Sequence, residues 1–85
     1  MRSQASTPKL PRITGEELVK ALQKAGFEVA RQKGSHVQLR KFVGGQKITF
    51  PVPVHKGKIL KPGTLRGILR KAGISVQELV ELLRS

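Results

Sequence analysis

The chain has 85 residues, with 17 Lys or Arg against 5 Asp or Glu, and so a formal net charge of +12 at pH 7. This length allows one domain with a small core, and the positive charge favours a polyanionic partner, either nucleic acid or an acidic protein. Without Cys, and with only 2 His and 5 acidic residues, the sequence excludes disulfides and thiolate nucleophiles and predicts chemistry that needs no metal or cofactor.

The N-terminal residues 1–12 are rich in Ser, Thr, Pro and basic side chains and show no apolar periodicity. We interpret them as a disordered basic arm or a remnant of the expression vector, and residues 13–85 as a single folded domain. The chain has no apolar run long enough to span a bilayer and no apolar core of a signal peptide. We therefore expect a cytoplasmic protein that does not bind membranes.

A first helix is predicted after residue 14. Thr14 and Glu17 form the two halves of a capping box, and Gly26 is suited to ending the helix. Between these signals the apolar residues recur at helical spacing, namely Leu18, Ala21, Leu22 and Ala25.

Three strands are predicted next, from alternation of apolar and polar residues over Phe27 to Gln32, after Ser35, and after Gly45. Gly44-Gly45 is typical of a two-residue hairpin loop, which sets Leu39 opposite Phe50 and His36 opposite Pro53. Pro51 and Pro53 are two residues apart, so both lack an N–H on the same side of the third strand. We therefore predict an antiparallel meander with the second strand in the centre and the third at an edge.

Two helices complete the pattern. Pro62 is suited to the first position of a helix that ends at Gly73, and Ser75 with Glu78 predicts a capping box for a short last helix. The predicted fold is α+β, in the order αβββαα, with a three-stranded antiparallel sheet and helices on one face. The other face carries His36, Gln38, Arg40, Lys47 and Thr49.

A glycine turn at Lys33-Gly34-Ser35 precedes His36, the predicted first residue of the second strand. Histidine side chains exchange protons near neutral pH, so an exposed His36 beside a bound phosphodiester could deprotonate a ribose 2′-hydroxyl or protonate the leaving 5′-oxygen. Gly34 allows close approach of a phosphate, Ser35 and backbone amides can bind it, and Lys33 and Arg40 would stabilise its charge. The alternative is that His36 is a polar residue without a role.

Six basic residues occur between Lys56 and Lys71 without an acid. Among these, Lys61, Arg66 and Arg70 are candidates for phosphate contacts, although a solvated face is the usual location of such a charge run. His55 follows the third strand. It could share acid and base roles with His36, or it could simply end the strand.

The chain resembles the HicA family of toxins from about Thr14 to Leu83. The resemblance rests on Gly34-Ser35-His36, on Val52-Pro53-Val54-His55, and on the run from Gly63-Thr64-Leu65-Arg66 to Ala72-Gly73-Ile74. It implies a double-stranded-RNA-binding-domain-like fold and a metal-independent mRNA interferase whose catalytic histidine is His36. It also implies a cognate HicB antitoxin as partner.

Two other functions stay open at this point. The chain could be a non-catalytic module that binds double-stranded RNA by its shape and backbone, or its basic surface could serve mainly an acidic protein partner. The chain has three Phe and no Tyr or Trp, and Phe27 and Phe50 are assigned to the core. Recognition of single strands by aromatic stacking is therefore not expected.

Overall fold

The structure is a computed structural model that describes residues 9–85, so the expectation for the first eight residues of the predicted arm lies outside it. Three helices and three strands follow the predicted αβββαα order. Their bounds are α1 Gly15–Lys24, β1 Glu28–Lys33, β2 His36–Val43, β3 Gln46–Pro53, α2 Pro62–Ala72 and α3 Val76–Arg84.

The helix ends agree with the sequence signals. At the start of α1 the Thr14 hydroxyl accepts a hydrogen bond from the Glu17 amide, and the Glu17 carboxylate accepts one from the Thr14 amide at 2.8 Å. This is the predicted capping box. Gly73 ends α2 in the left-handed conformation with φ of 71°. The Ser75 hydroxyl accepts from the Glu78 amide at 3.0 Å, which is one half of the box predicted for α3.

The strands form one antiparallel sheet in the order β1-β2-β3. Leu39 pairs with Phe50 and His36 with Pro53, which confirms the register predicted from the Gly44-Gly45 loop. The amide of Val54 donates to the carbonyl of Ser35 at 2.6 Å, so the backbone N–H of Val54 points toward β2. Backbone N–H groups alternate in direction along a strand, so the nitrogens of Pro51 and Pro53 point away from β2. This is the arrangement predicted for an edge strand.

The core lies between the helices and one face of the sheet. Phe50 is 1% exposed, and its ring centroid lies 5.3 Å from that of Phe27. Helix α2 packs on β3, and α3 packs against α1. Leu65, Ile68, Leu69 and Ala72 are the buried residues of α2, which confirms its predicted apolar stripe.

Strand β1 contains a bulge that the sequence did not predict. Val29 pairs with Leu39 but Arg31 pairs with Gln38, so Ala30 is an extra residue in the ladder. The predicted uninterrupted alternation from Phe27 to Gln32 is therefore wrong. It would have turned Arg31 to the helix-covered face. The bulge instead places Arg31 on the face opposite the helices, and Val29 at this sheet edge is 42% exposed.

The segment before α1 is tied to the loop that leads into α2. The carbonyl of Ile13 accepts a hydrogen bond from the amide of Leu60 at 2.8 Å, and Thr14 forms an isolated bridge with Ile59. Leu10 is partly buried against the core. Contacts of the folded domain therefore begin within the segment that was assigned to the arm.

Candidate functional site

An open groove of about 1050 Å³ lies on the sheet face opposite the helices. It brings together five of the predicted site residues from the β1–β2 turn and from β2. These five are Lys33, Gly34, Ser35, His36 and Arg40. The other lining residues are Ala30, Arg31, Gln38, Lys47 and Thr49.

His36 occupies the middle of the three-stranded sheet at one end. It is the first residue of β2 and pairs with Lys33 on β1 and with Pro53 on β3. Its neighbour Val37 is buried in the core, so strand alternation turns the His36 side chain to the opposite, exposed face. The imidazole is therefore accessible to a ligand in the groove.

The turn before His36 is a two-residue loop, Gly34-Ser35, between paired Lys33 and His36. Gly34 has φ of 58°, which residues with a side chain rarely adopt. A Cβ atom at Gly34 would have no atom within 4 Å. The Ser35 carbonyl accepts from the Val54 amide, which ties the turn to the end of β3. A ligand can thus approach the backbone closely at Gly34, next to a Ser35 carbonyl that is hydrogen-bonded to Val54.

The groove is strongly cationic because four basic side chains line it and one acid lies beside it. Arg40 Nε donates to Glu28 Oε1 at 2.7 Å, the one ion pair within residues 9–85. The remaining three cations, Arg31, Lys33 and Lys47, have no carboxylate partner in that part of the chain. Such a set of unneutralised charges in one groove attracts anions and can stabilise charge that develops on a phosphate.

Polar side chains bridge β2 and β3 within the groove. Gln38 Nε2 donates to Thr49 Oγ1 at 2.8 Å, and that hydroxyl donates to the carbonyl of Leu39 at 2.9 Å. These bonds link β2 and β3 on the floor of the groove. Sequence reasoning had set Gln38 and Thr49 on this face.

Sequence reasoning missed Arg31 as a groove residue. In a regular strand Arg31 would lie on the helix-covered face, at a position where the alternation of β1 calls for an apolar residue. That conflict was the available signal for a bulge, but the location of the bulge could not be read from it.

The remaining predicted residues lie outside this groove. His55 and Lys61 line a second groove, of about 370 Å³, together with Lys58 and Thr64. Arg66 lines a third one, beside Leu10 and Pro11. Arg70 is exposed near the end of α2 and lines neither of these. His55 and Lys61 thus line a different groove from His36, although Pro53, the pairing partner of His36, lines their groove too.

Two classes of site have no support in the described part of the chain. No helix there combines the length and the apolar character needed to cross a membrane. Over residues 9–85, no three His, Cys, Asp or Glu side chains cluster as metal ligands would.

The described residues thus form an α+β domain with an exposed histidine in a cationic groove. Residues 15–74 match the family model described as HicA toxin of bacterial toxin-antitoxin, which covers more than half of the chain. The chain therefore belongs to the HicA toxin family, as its resemblance indicated. Among curated proteins, none matches the sequence. Membership in this family assigns a toxin role, with an antitoxin as the partner.

Proposed function

We propose that this toxin is a metal-independent endoribonuclease that cleaves mRNA, with His36 as general acid or base. The observation that carries the proposal is the position of His36, exposed at the centre of the sheet in a groove lined by Arg31, Lys33 and Lys47. A proton-transfer group surrounded by unneutralised cations suits cleavage of a phosphodiester. The family assignment supports the same reading, since its toxins are generally ribonucleases.

The reaction needs no reactant beyond the RNA. The 2′-oxygen attacks the adjacent phosphorus, the bond from phosphorus to the 5′-oxygen breaks, and a 2′,3′-cyclic phosphate and a 5′-hydroxyl form. His36 as base takes the 2′-hydroxyl proton, and water protonates the leaving 5′-oxygen. If His36 acts as acid, it supplies that second proton and water takes the first.

The turn and its neighbours would hold the scissile phosphate. In the proposal the Ser35 hydroxyl and the turn amides donate to phosphate oxygens in front of Gly34, where a ligand meets no side chain. Lys33 pairs directly with His36 across β1 and β2 and would balance the charge that builds on those oxygens. Arg40 would contact a neighbouring phosphate, which would compete with the Glu28 carboxylate for the Arg40 guanidinium.

The other predicted residues receive lesser roles. Lys61, Arg66 and Arg70 lie away from the groove and would attract RNA at long range without contacting the scissile phosphate. His55 lines a different groove from His36, so we propose that it takes no part in proton transfer. The partner would be a cognate HicB-like antitoxin in the cytoplasm, whose acidic groups would complement the net charge of +12.

A cleavage assay in the presence of EDTA tests this function. Labelled RNA should be cut by the wild-type protein to products with 2′,3′-cyclic phosphate ends. His36→Ala should reduce the rate by about 100- to 10,000-fold, the usual contribution of a general acid or base, without changing the circular dichroism spectrum. His55→Ala is the matched control, because it removes an exposed imidazole from the other groove, and should retain activity.

Two results would contradict the proposal. Cleavage that survives in His36→Ala would remove the catalytic assignment. Binding of RNA by the wild-type protein without any product would instead favour a non-catalytic module for double-stranded RNA.

A further inference from the structure

Phe42 is an exposed aromatic residue on the same face of the sheet as His36. Its side chain is 62% exposed, whereas Phe27 and Phe50 are buried. We propose that Phe42 and Lys47 form a nucleotide subsite that binds single-stranded RNA, with a base stacked on the ring and a phosphate at the ammonium group. This proposal rests on the proposed function and specifies the strandedness of its substrate.

The sheet register connects this subsite to the groove. His36 and Phe42 are six residues apart on β2, so both side chains point to the same face, about 20 Å apart along the strand. Phe42 pairs with Lys47 on β3, and Lys47 lines the groove. The cationic surface around His36 therefore continues to the Phe42 ring. A few nucleotides of extended RNA would span this separation.

The chemistry of the pair favours an unpaired nucleotide. Every base has a flat face that can stack on an exposed aromatic ring, and a neighbouring lysine can neutralise the phosphate of the same strand. In a duplex the faces of the bases are already stacked on one another, so the ring gains no partner. The absence of Tyr and Trp therefore does not exclude stacking, because one of the three Phe is available for it.

A protein contact is the other use of an exposed Phe, and the surroundings of Phe42 disfavour it. Of the exposed large hydrophobic residues in the described chain, Val29 and Val43 lie on the helix-covered face and Ile59 lies outside the strands. Phe42 therefore has no apolar neighbour among them on its own face. An apolar interface needs a contiguous patch, whereas a single ring beside Lys47 suits a nucleotide.

The test measures binding of a fluorescent 2′-O-methylated oligoribonucleotide, which lacks the attacking hydroxyl and stays intact. The probe is used as an unstructured single strand and as a duplex with its complement. Phe42→Ala should weaken binding of the single strand by roughly 5- to 150-fold and leave the duplex unchanged. Phe42→Trp should bind the single strand at least as tightly as the wild type. Val43→Ala is the matched control, because it shortens the next exposed apolar residue on the opposite face, and should change neither affinity.

Lys47→Ala tests the second half of the subsite. It should weaken binding of the single strand and reduce the slope of log affinity against log salt concentration by about 1. An unchanged slope would overturn the assignment of a phosphate to Lys47.

Three results would overturn the role of Phe42. These are single-strand affinity of Phe42→Ala within twofold of wild type, an equal loss in Val43→Ala, or an equal loss for the duplex. A shift from dimer to monomer in sedimentation with unchanged RNA affinity would identify a contact between copies instead. Because the probe cannot be cleaved, these results are independent of the cleavage assay. If the affinity for single-stranded RNA depends on Phe42 but the protein cuts no RNA, the nuclease proposal is refuted and the subsite proposal stands.

Discussion

Gly15, the first residue of α1, packs against the end of β3. A Cβ atom at this position would lie 2.2 Å from the carbonyl oxygen of Pro53 and 3.0 Å from the Cα of Val54. Both contacts are with backbone, so no side chain can rotate away. Pro53 is also the pairing partner of His36, so any displacement there reaches the candidate site.

We predict that Gly15→Ala destabilises the protein. Ordinary contact begins at 3.4 Å, so the helix end or the end of β3 must move by about 1.2 Å (3.4 minus 2.2). Forcing an extra carbon into a packed position costs about 1–3 kcal/mol. At about 4–8 °C per kcal/mol for a domain of this size, a loss of 2 kcal/mol would lower Tm by roughly 8–16 °C.

Gly67→Ala is the matched control, because it makes the same chemical change in the interior of α2. A Cβ atom at Gly67 meets nothing within 4 Å, and alanine is more favourable than glycine in a helix by roughly 0.5–1 kcal/mol. Its Tm should therefore rise by roughly 2–8 °C. Thermal unfolding followed by circular dichroism measures both variants. If both variants shift Tm in the same direction, or Gly15→Ala leaves it unchanged, the packing argument is wrong.

Two further predictions concern the groove. Glu28→Gln keeps the shape of the side chain but removes the carboxylate that engages Arg40, so RNA should bind severalfold more tightly and with a salt slope steeper by about 1. The Tm of Glu28→Gln should hardly change, because exposed ion pairs contribute only about 0–1 kcal/mol. If a filter-binding titration finds the RNA affinity unchanged, Arg40 contacts no phosphate. Gly34→Ala forces a side chain into a left-handed conformation with φ of 58°, which should cost about 1–2 kcal/mol in the free energy of unfolding from urea denaturation. Gly34→Asn should cost less, since Asn tolerates this region, and equal losses in the two variants would show that the backbone angle is not the cause.

Much of the fold could be predicted because its signals are local. The capping box at Thr14, the Gly44-Gly45 loop and Pro62 each act within a few residues, and the loop alone determines which residues of β2 and β3 face one another. His36 could be assigned to the exposed face for the same reason. Its neighbour Val37 is apolar and faces the core, and neighbouring side chains of a strand point to opposite faces.

The features that sequence reasoning missed depend on contacts between distant parts of the chain. The bulge at Ala30 is a feature of how β1 pairs with β2, and no motif within β1 indicates it. The pairing of Arg40 with Glu28 joins residues 12 positions apart. The division of His36 and His55 between two grooves depends on the path of the loop after β3, where Gly57 has φ of 75° and the Lys58 amide donates to the His55 carbonyl.

Pro51 and Pro53 also determine on which side this sheet could be lengthened by another chain. An incoming strand next to β3 would find two consecutive outward positions without an amide hydrogen, and would lose a ladder bond at each. Along β1, every residue is exposed and none is proline. The bulge at Ala30 is the one interruption of the sheet edge formed by β1. Strand addition, whether by a second copy or by a binding protein, is therefore directed to the β1 side, next to Arg31 and Lys33.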